Sequence, residues 1–276
     1  SGSLACIGSL RFANALDGYA FGPSALFVTT DGGRHWQRGT GGAYGLEIAN
    51  GSVLRVTAGC LPGCPFTLQR ATIGSNSWTP VALPPGGQVY GAQLARSGHR
   101  VSLLTTGHIA GGAQNATSTL FTSTDDGASW TARGEPCPQT GAEYDSVAVT
   151  VTPDGSITLA CRARTAGGSQ FTLTSADGGS HFSASAGLGA PDASVVGAAS
   201  ASILFAEANG LYRSTDAGKH WQRVSGNAPA GASFIGFETA QVGRVLDGIG
   251  PGGVGSTATV WTTTDAGRSW TSHTFH

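Results

Sequence analysis

Short apolar runs, with β-branched and aromatic residues at alternating positions, recur along the chain and stop at turns rich in Asp and Gly. Leu26-Phe-Val-Thr-Thr, Leu120-Phe-Thr-Ser-Thr, Leu211-Tyr-Arg-Ser-Thr and Val260-Trp-Thr-Thr-Thr are the clearest. Alternation of this kind, closed by Asp and Gly, predicts strands that enter hairpin turns. No segment sustains a helical period, so almost pure β structure is expected.

An aromatic residue closes each turn. The copies are Thr29-Thr-Asp-Gly-Gly-Arg-His-Trp36, Ser123-Thr-Asp-Asp-Gly-Ala-Ser-Trp130, Ser175-Ala-Asp-Gly-Gly-Ser-His-Phe182, Ser214-Thr-Asp-Ala-Gly-Lys-His-Trp221 and Thr263-Thr-Asp-Ala-Gly-Arg-Ser-Trp270. A degenerate sixth, Ala71-Thr-Ile-Gly-Ser-Asn-Ser-Trp78, keeps the aromatic but has Ile73 in place of Asp. The closing aromatics fall 42, 52, 52, 39 and 49 residues apart. A strand-based period of roughly 40–50 residues is the mark of a propeller with one sheet per repeat. Within a turn, Asp31, Asp125, Asp177, Asp216 and Asp265 can accept backbone N–H groups a few residues on. Gly33, Gly127, Gly179, Gly218 and Gly267 stand where a positive φ suits glycine. The aromatic is expected to fold back as a plug against its own sheet. None of this requires a ligand, despite five acidic residues that invite a metal reading.

The pattern resembles the Asp-box, Ser/Thr-x-Asp-x-Gly-x-Thr/Ser-Trp/Phe, also called the bacterial neuraminidase repeat. It occurs in sialidases, sortilin-type domains, xyloglucan-active hydrolases and photosystem II assembly factors. The resemblance implies a β-propeller with the box between third and fourth strands, and the six repeats make it a six-bladed β-propeller of four-stranded antiparallel blades. A seven-bladed or incomplete ring is the alternative. One propeller domain is expected over residues 1–276, with blades at about 7–44, 45–86, 87–135, 143–187, 194–227 and 232–276. The box serves enzymes and non-enzymes alike, so it says little about activity.

The chain's 276 residues divide into 46 per repeat, enough for four strands and their turns. Charged residues make up only 11%, with a formal net charge of −1, which excludes the basic field that nucleic-acid binding needs. Fourteen of the 15 basic residues are Arg, scattered along the chain. No stretch approaches the roughly 18 apolar residues of a membrane helix. Methionine is absent, which reads as a processed or excised product. Of five cysteines, Cys60 and Cys64 flank a Leu-Pro-Gly loop, and Cys137 and Cys161 could bridge neighbouring blades. Two disulfides, with Cys6 left over, suit an extracytoplasmic protein. Neither pair has a second ligand pair at zinc spacing, so no metal or cofactor is expected.

A propeller's ligand face usually gathers the blade-to-blade loops and the loops between second and third strands. Chemistry-bearing residues on those segments are few: Tyr44, Tyr90, His108, Glu135, Glu143, Tyr144, Asp145, Arg162, Arg164 and Asp247. The densest group is Glu143-Tyr-Asp145 with Arg162-Ala-Arg164. On an extended strand the two carboxylates share a face at about 7 Å. That separation suits an acid–base pair for glycoside hydrolysis. The alternative is a surface ion-pair cluster at a blade edge. Sialidases resemble the chain in their boxes, but the Arg-Ile-Pro motif that they carry has no counterpart here, where Arg11 precedes Phe12-Ala13. No sialidase catalytic residue is carried over. Leu10-Arg-Phe, Asp17-Gly-Tyr-Ala-Phe-Gly and Leu26-Phe-Val-Thr-Thr-Asp-Gly-Gly resemble the photosystem II assembly-factor repeat. Those factors rely on an Arg patch; what transfers is non-enzymatic partner binding. The expectation is a secreted, periplasmic or cell-surface propeller, monomeric and not membrane-spanning, that binds a protein or glycan through its loop face. The alternative is a glycoside hydrolase using Glu143 and Asp145.

Overall fold

The computed structural model describes residues 7–58, 65–83, 89–107, 118–137, 144–163, 170–187, 193, 195–247 and 259–274. Twenty-four strands form six four-stranded antiparallel sheets, with no helix among the described residues. In each sheet the strands lie side by side in chain order, which is the layout of a six-bladed β-propeller.

The unit Ser1–Ala132 and the unit Arg133–His276 divide the chain within the twelfth strand. The first three sheets comprise β1 Ser9–Phe12, β2 Gly18–Gly22, β3 Ala25–Thr29 and β4 Gln37–Arg38; β5 Gly45–Ala49, β6 Ser52–Ala58, β7 Phe66–Thr72 and β8 Thr79–Val81; and β9 Val89–Ser97, β10 Arg100–Gly107, β11 Ser118–Ser123 and β12 Thr131–Gly134. The last three comprise β13 Tyr144–Val151, β14 Ile157–Ala163, β15 Gln170–Ser175 and β16 Ser183–Gly187; β17 Val195–Ala198, β18 Leu204–Glu207, β19 Leu211–Ser214 and β20 Gln222–Arg223; and β21 Phe234–Phe237, β22 Gly243–Asp247, β23 Thr259–Thr263 and β24 Thr271–Thr274.

A lone sheet has two faces and cannot bury both, so the core lies in layers between successive sheets. Tyr19, Phe21, Leu26 and Val28 of the first sheet pack on Leu46 and Val53 of the second. Leu54, Val56, Phe66 and Leu68 then pack on Leu94, Val101, Leu103 and Phe121 of the third. In the second unit Phe205 and Leu211 meet Ile235 and Val245. Each fully buried side chain of this size contributes about 1.5–3 kcal/mol. The strands β17 and β21 approach so closely that a Cβ on Gly197 would lie 2.3 Å from Ile235 Cγ2. The layer between fourth and fifth sheets differs in kind. It is built from Ala148, Ala160, Ala193, Val196, Ala206 and Ala208, alongside buried Thr158 and Thr172.

Four of the closing aromatics fold back into the layer between their own sheet and the preceding one. Trp78 meets Tyr19 of the preceding sheet, ring centroids 6.5 Å apart. Trp130 joins the layer between second and third sheets, and its Nε1 donates to Ala82 O at 3.1 Å. Trp221 packs in the alanine layer, and Trp270 meets Phe205 edge-on at 6.1 Å. An indole set between two sheets loses more apolar surface to water than one laid on a single sheet edge. Trp36 behaves differently: it touches Phe12 of its own sheet at 6.2 Å and is 36% exposed.

A disulfide joins Cys137 to Cys161 and ties the segment after β12 to the buried strand β14. Cys6, Cys60 and Cys64 lie outside the described residues.

Candidate functional site

The five regular turns are closed hydrogen-bond systems. In each, the first-position hydroxyl (Thr29, Ser123, Ser175, Ser214, Thr263) donates to the Asp Oδ1 at 2.7–2.9 Å. The same hydroxyl accepts the glycine N–H at 2.8–2.9 Å. The seventh residue donates its N–H to Oδ1 at 2.8–3.0 Å. Its side chain then meets Oδ2: Nδ1 of His35, His181 and His220 at 2.6–2.7 Å, and Oγ of Ser129 and Ser269 at 2.5–2.6 Å. Hydrogen bonds to the charged form favour it. The Ser129 hydroxyl and then its N–H hold Asp125 down at about 2, and Ser269 does the same for Asp265, at about 2. Asp31, Asp177 and Asp216 are lowered further, first by the backbone N–H and then the imidazole of the seventh residue. Both oxygens of each carboxylate are thus engaged within their own turn.

These turns and the hairpins between first and second strands lie at one end of the sheets. The other end holds the connections between second and third strands and between sheets. There Tyr44 packs on Phe66, centroids 4.9 Å apart, and burial raises its hydroxyl pKa. It is thus built into the layer between second and third sheets. Asp247 ends β22 and accepts Ala230 N–H at 3.3 Å. Tyr90 is placed on β9, and Tyr144 and Asp145 on β13, by their backbone. His108, Glu143 and Arg164 lie outside the described residues. Glu135 accepts from Ser146 Oγ at 2.6 Å and Cys137 N–H at 2.9 Å, beside the disulfide.

Blade four's register assembles the most informative group. Arg162 stands opposite Asp145 of β13 on one side and opposite Gln170 of β15 on the other. Its NH2 donates to Ala193 O at 3.3 Å, reaching the segment that leads into the fifth sheet. Its Nε is buried and makes no hydrogen bond. Gln170 is only 3% exposed, yet neither its amide oxygen nor its amide nitrogen has a partner. Thr158 Oγ1 and Thr174 Oγ1, cross-strand partners on that same face, are likewise buried and unpaired. Each such group costs about 1–3 kcal/mol when left unsatisfied. Of these, the Gln170 amide and the Arg162 Nε lie at the loop end of the strands, while the two threonines lie deeper, on the far side of Ala160 and Thr172. The sequence reading named Arg162 but missed Gln170. Its only signal was a polar residue opening a strand of apolar and hydroxyl residues.

The fold and this loop end define a six-bladed β-propeller. No protein-family model matches the chain, and no curated protein matches it either. Solved structures are similar in fold. YCF48 bound to D1 peptide matches over 97% of this chain and 82% of its own, with a TM-score of 0.59 at 16% identity. YCF48 from Cyanidioschyzon merolae matches over 98% and 85%, with a TM-score of 0.60 at 14% identity. An α-L-arabinofuranosidase of Fusarium graminearum, solved with an iminosugar inhibitor, matches over 90% and 89%, with a TM-score of 0.59 at 12% identity. At such identities the likeness is one of fold alone.

Proposed function

We propose that this chain is a non-enzymatic binding propeller of the Asp-box kind. It recognises a protein or glycan partner at the loop end of its blades, with the Arg162–Gln170 position of blade four at the centre. The observation that carries this reading is Gln170: a buried amide with both donor and acceptor unpaired, next to an arginine with a spare donor. A partner offering a carbonyl and an N–H or hydroxyl would satisfy both, as peptide backbone and sugars do. Engagement of the turn carboxylates within their own turns further favours binding over acid–base chemistry on those residues. The described disulfide favours an extracytoplasmic setting. One similar propeller, YCF48, has been solved with a peptide bound, which makes peptides the first partner class to test.

Peptide and glycan arrays probed with wild type and with Gln170→Leu test the reading. Partner binding that disappears in the variant, with no sugar turnover, supports it. Release of reducing sugar that stops on Glu143→Gln or Asp145→Asn would replace it with the glycoside hydrolase reading.

A further inference from the structure

The opposite end of the second unit carries a cleft that the binding reading does not use. It lies between the outer strands of the fifth sheet and the turn of the sixth, with a volume of about 540 Å³. Arg213 of β19, Arg223 of β20 and Arg268 of the last turn all line it, with His220 and Asp216 on the same wall. Scattered in sequence, these arginines are gathered by the fold: three of the chain's 14 stand around one opening.

Most of their donors are uncommitted. Arg213 donates through Nε to Ala266 O at 3.0 Å, and its two terminal nitrogens make no hydrogen bond. Arg223 gives NH2 to Asn209 O at 3.3 Å. The Arg268 guanidinium makes no hydrogen bond at all. Two carboxylates offset part of this charge, Asp216 in the lining and Asp265 acting on Arg213, which leaves the three arginines in excess. Asp216 is held by Ser214 and His220, and Asp265 by Thr263, Arg268 N–H and Ser269. Desolvation, with Arg268 as a like-charged neighbour, lowers the pKa of Arg213. Like charges held together around a cavity are stabilised by an anion between them.

We propose that this cleft binds a tetrahedral oxyanion, a sulfate or phosphate group carried as an ester on a larger molecule. Guanidinium forks from three separate elements offer more donors, from more directions, than a planar carboxylate can use. The volume falls within the range of small-ligand pockets rather than that of a single ion. The site is independent of the loop end, so either proposal can fail alone.

Calorimetric titration with sodium sulfate and sodium phosphate, at ionic strength held constant with chloride, tests it. Saturable binding is expected, weakened about tenfold or more in Arg268→Gln, which removes one charge-assisted contact. Arg268 supports no other residue with its side chain, so that variant keeps the fold, and Arg38→Gln serves as an unaffected control. Melting curves add a second readout: stabilisation by sulfate should exceed that of Arg268→Gln, in which only the general salting-out effect remains. Preference for a phosphorylated over a sulfated saccharide, or the reverse, identifies the ester. Binding no stronger than that of chloride, equal binding of acetate, or unchanged binding in Arg268→Gln would overturn the proposal.

Discussion

Arg213 donates from Nε to the main-chain oxygen of Ala266 at 3.0 Å, joining the third strand of the fifth sheet to the turn of the sixth. Arg70 makes the equivalent contact between second and third sheets through a terminal nitrogen, its NH2 donating to the oxygen of Asp126. Both arginines sit one residue before their own turn's first position, and both acceptors are the fourth residue of the next turn. Those acceptors share a left-handed backbone, φ +58° at Ala266 and +61° at Asp126. The recurring bond is therefore a latch between neighbouring blades, set by repeat position. Arg213→Met keeps the aliphatic stem and removes the donor. It should lower unfolding free energy by about 1–2 kcal/mol, read as a shifted urea midpoint at unchanged slope.

The turn carboxylates set an acid limit. Asp125 and Asp265 have folded pKa values of about 2, below the roughly 3.9 of an unfolded aspartate. A depressed folded pKa contributes stability that is present above the unfolded value and lost as pH falls toward the folded one. Unfolding midpoints should therefore hold steady down to about pH 4 and fall between about pH 4 and pH 2. Asp125→Asn loses the Ser129 hydroxyl bond to Oδ2 and should show a lower midpoint at neutral pH with a shallower acid fall. An acid profile identical to that of wild type would contradict the assignment.

The closing tryptophans should not be equivalent. Trp130 lies between two sheets and donates to Ala82 O, so Trp130→Ala should cost about 3 kcal/mol. Trp36 is 36% exposed and packs edge-on against Phe12, so Trp36→Ala should cost about 1 kcal/mol. Paired denaturant titrations separate the two, and equal losses would place both rings in equivalent environments.

The Cys137–Cys161 bridge closes a loop with a sequence separation of 24. Restricting the unfolded chain over that length contributes about 3 kcal/mol. Cys137→Ser should lower stability by that order. A reducing agent should bring wild type to the same midpoint while leaving the variant unchanged.

What the sequence disclosed divides by range of interaction. Every bond inside the Thr29–Trp36 turn closes within seven residues, so its residue types and spacing were sufficient to announce it. Strand order followed, because each sheet is built from consecutive hairpins. The packing partner of Trp130 was not readable, since Ala82 stands 48 residues away and belongs to another sheet. The arginine cleft was hidden for the same reason: Arg213 and Arg268 become neighbours only once blades five and six stack. Gln170 was hidden in another way. Its importance lies in partners it lacks, and strand periodicity does not register a missing hydrogen bond.

That lack makes a sharp test of the loop end. If the Gln170 amide is buried and unpaired for the sake of a partner, the free protein bears its desolvation cost. Gln170→Leu keeps approximate volume and removes both polar atoms, so it should raise the stability of the free chain by about 1 kcal/mol or more. The same change should abolish partner binding, because a leucine offers nothing to a carbonyl or hydroxyl. Few substitutions gain stability while losing function unless the polar group was held for recognition. Gln170→Glu separates polarity from hydrogen-bond complementarity: it places a carboxylate beside Arg162, and should leave binding impaired. Urea titration and array binding on the same three proteins decide it. A Gln170→Leu variant less stable than wild type would mean that the amide is satisfied within the folded chain, and the loop-end reading would fall.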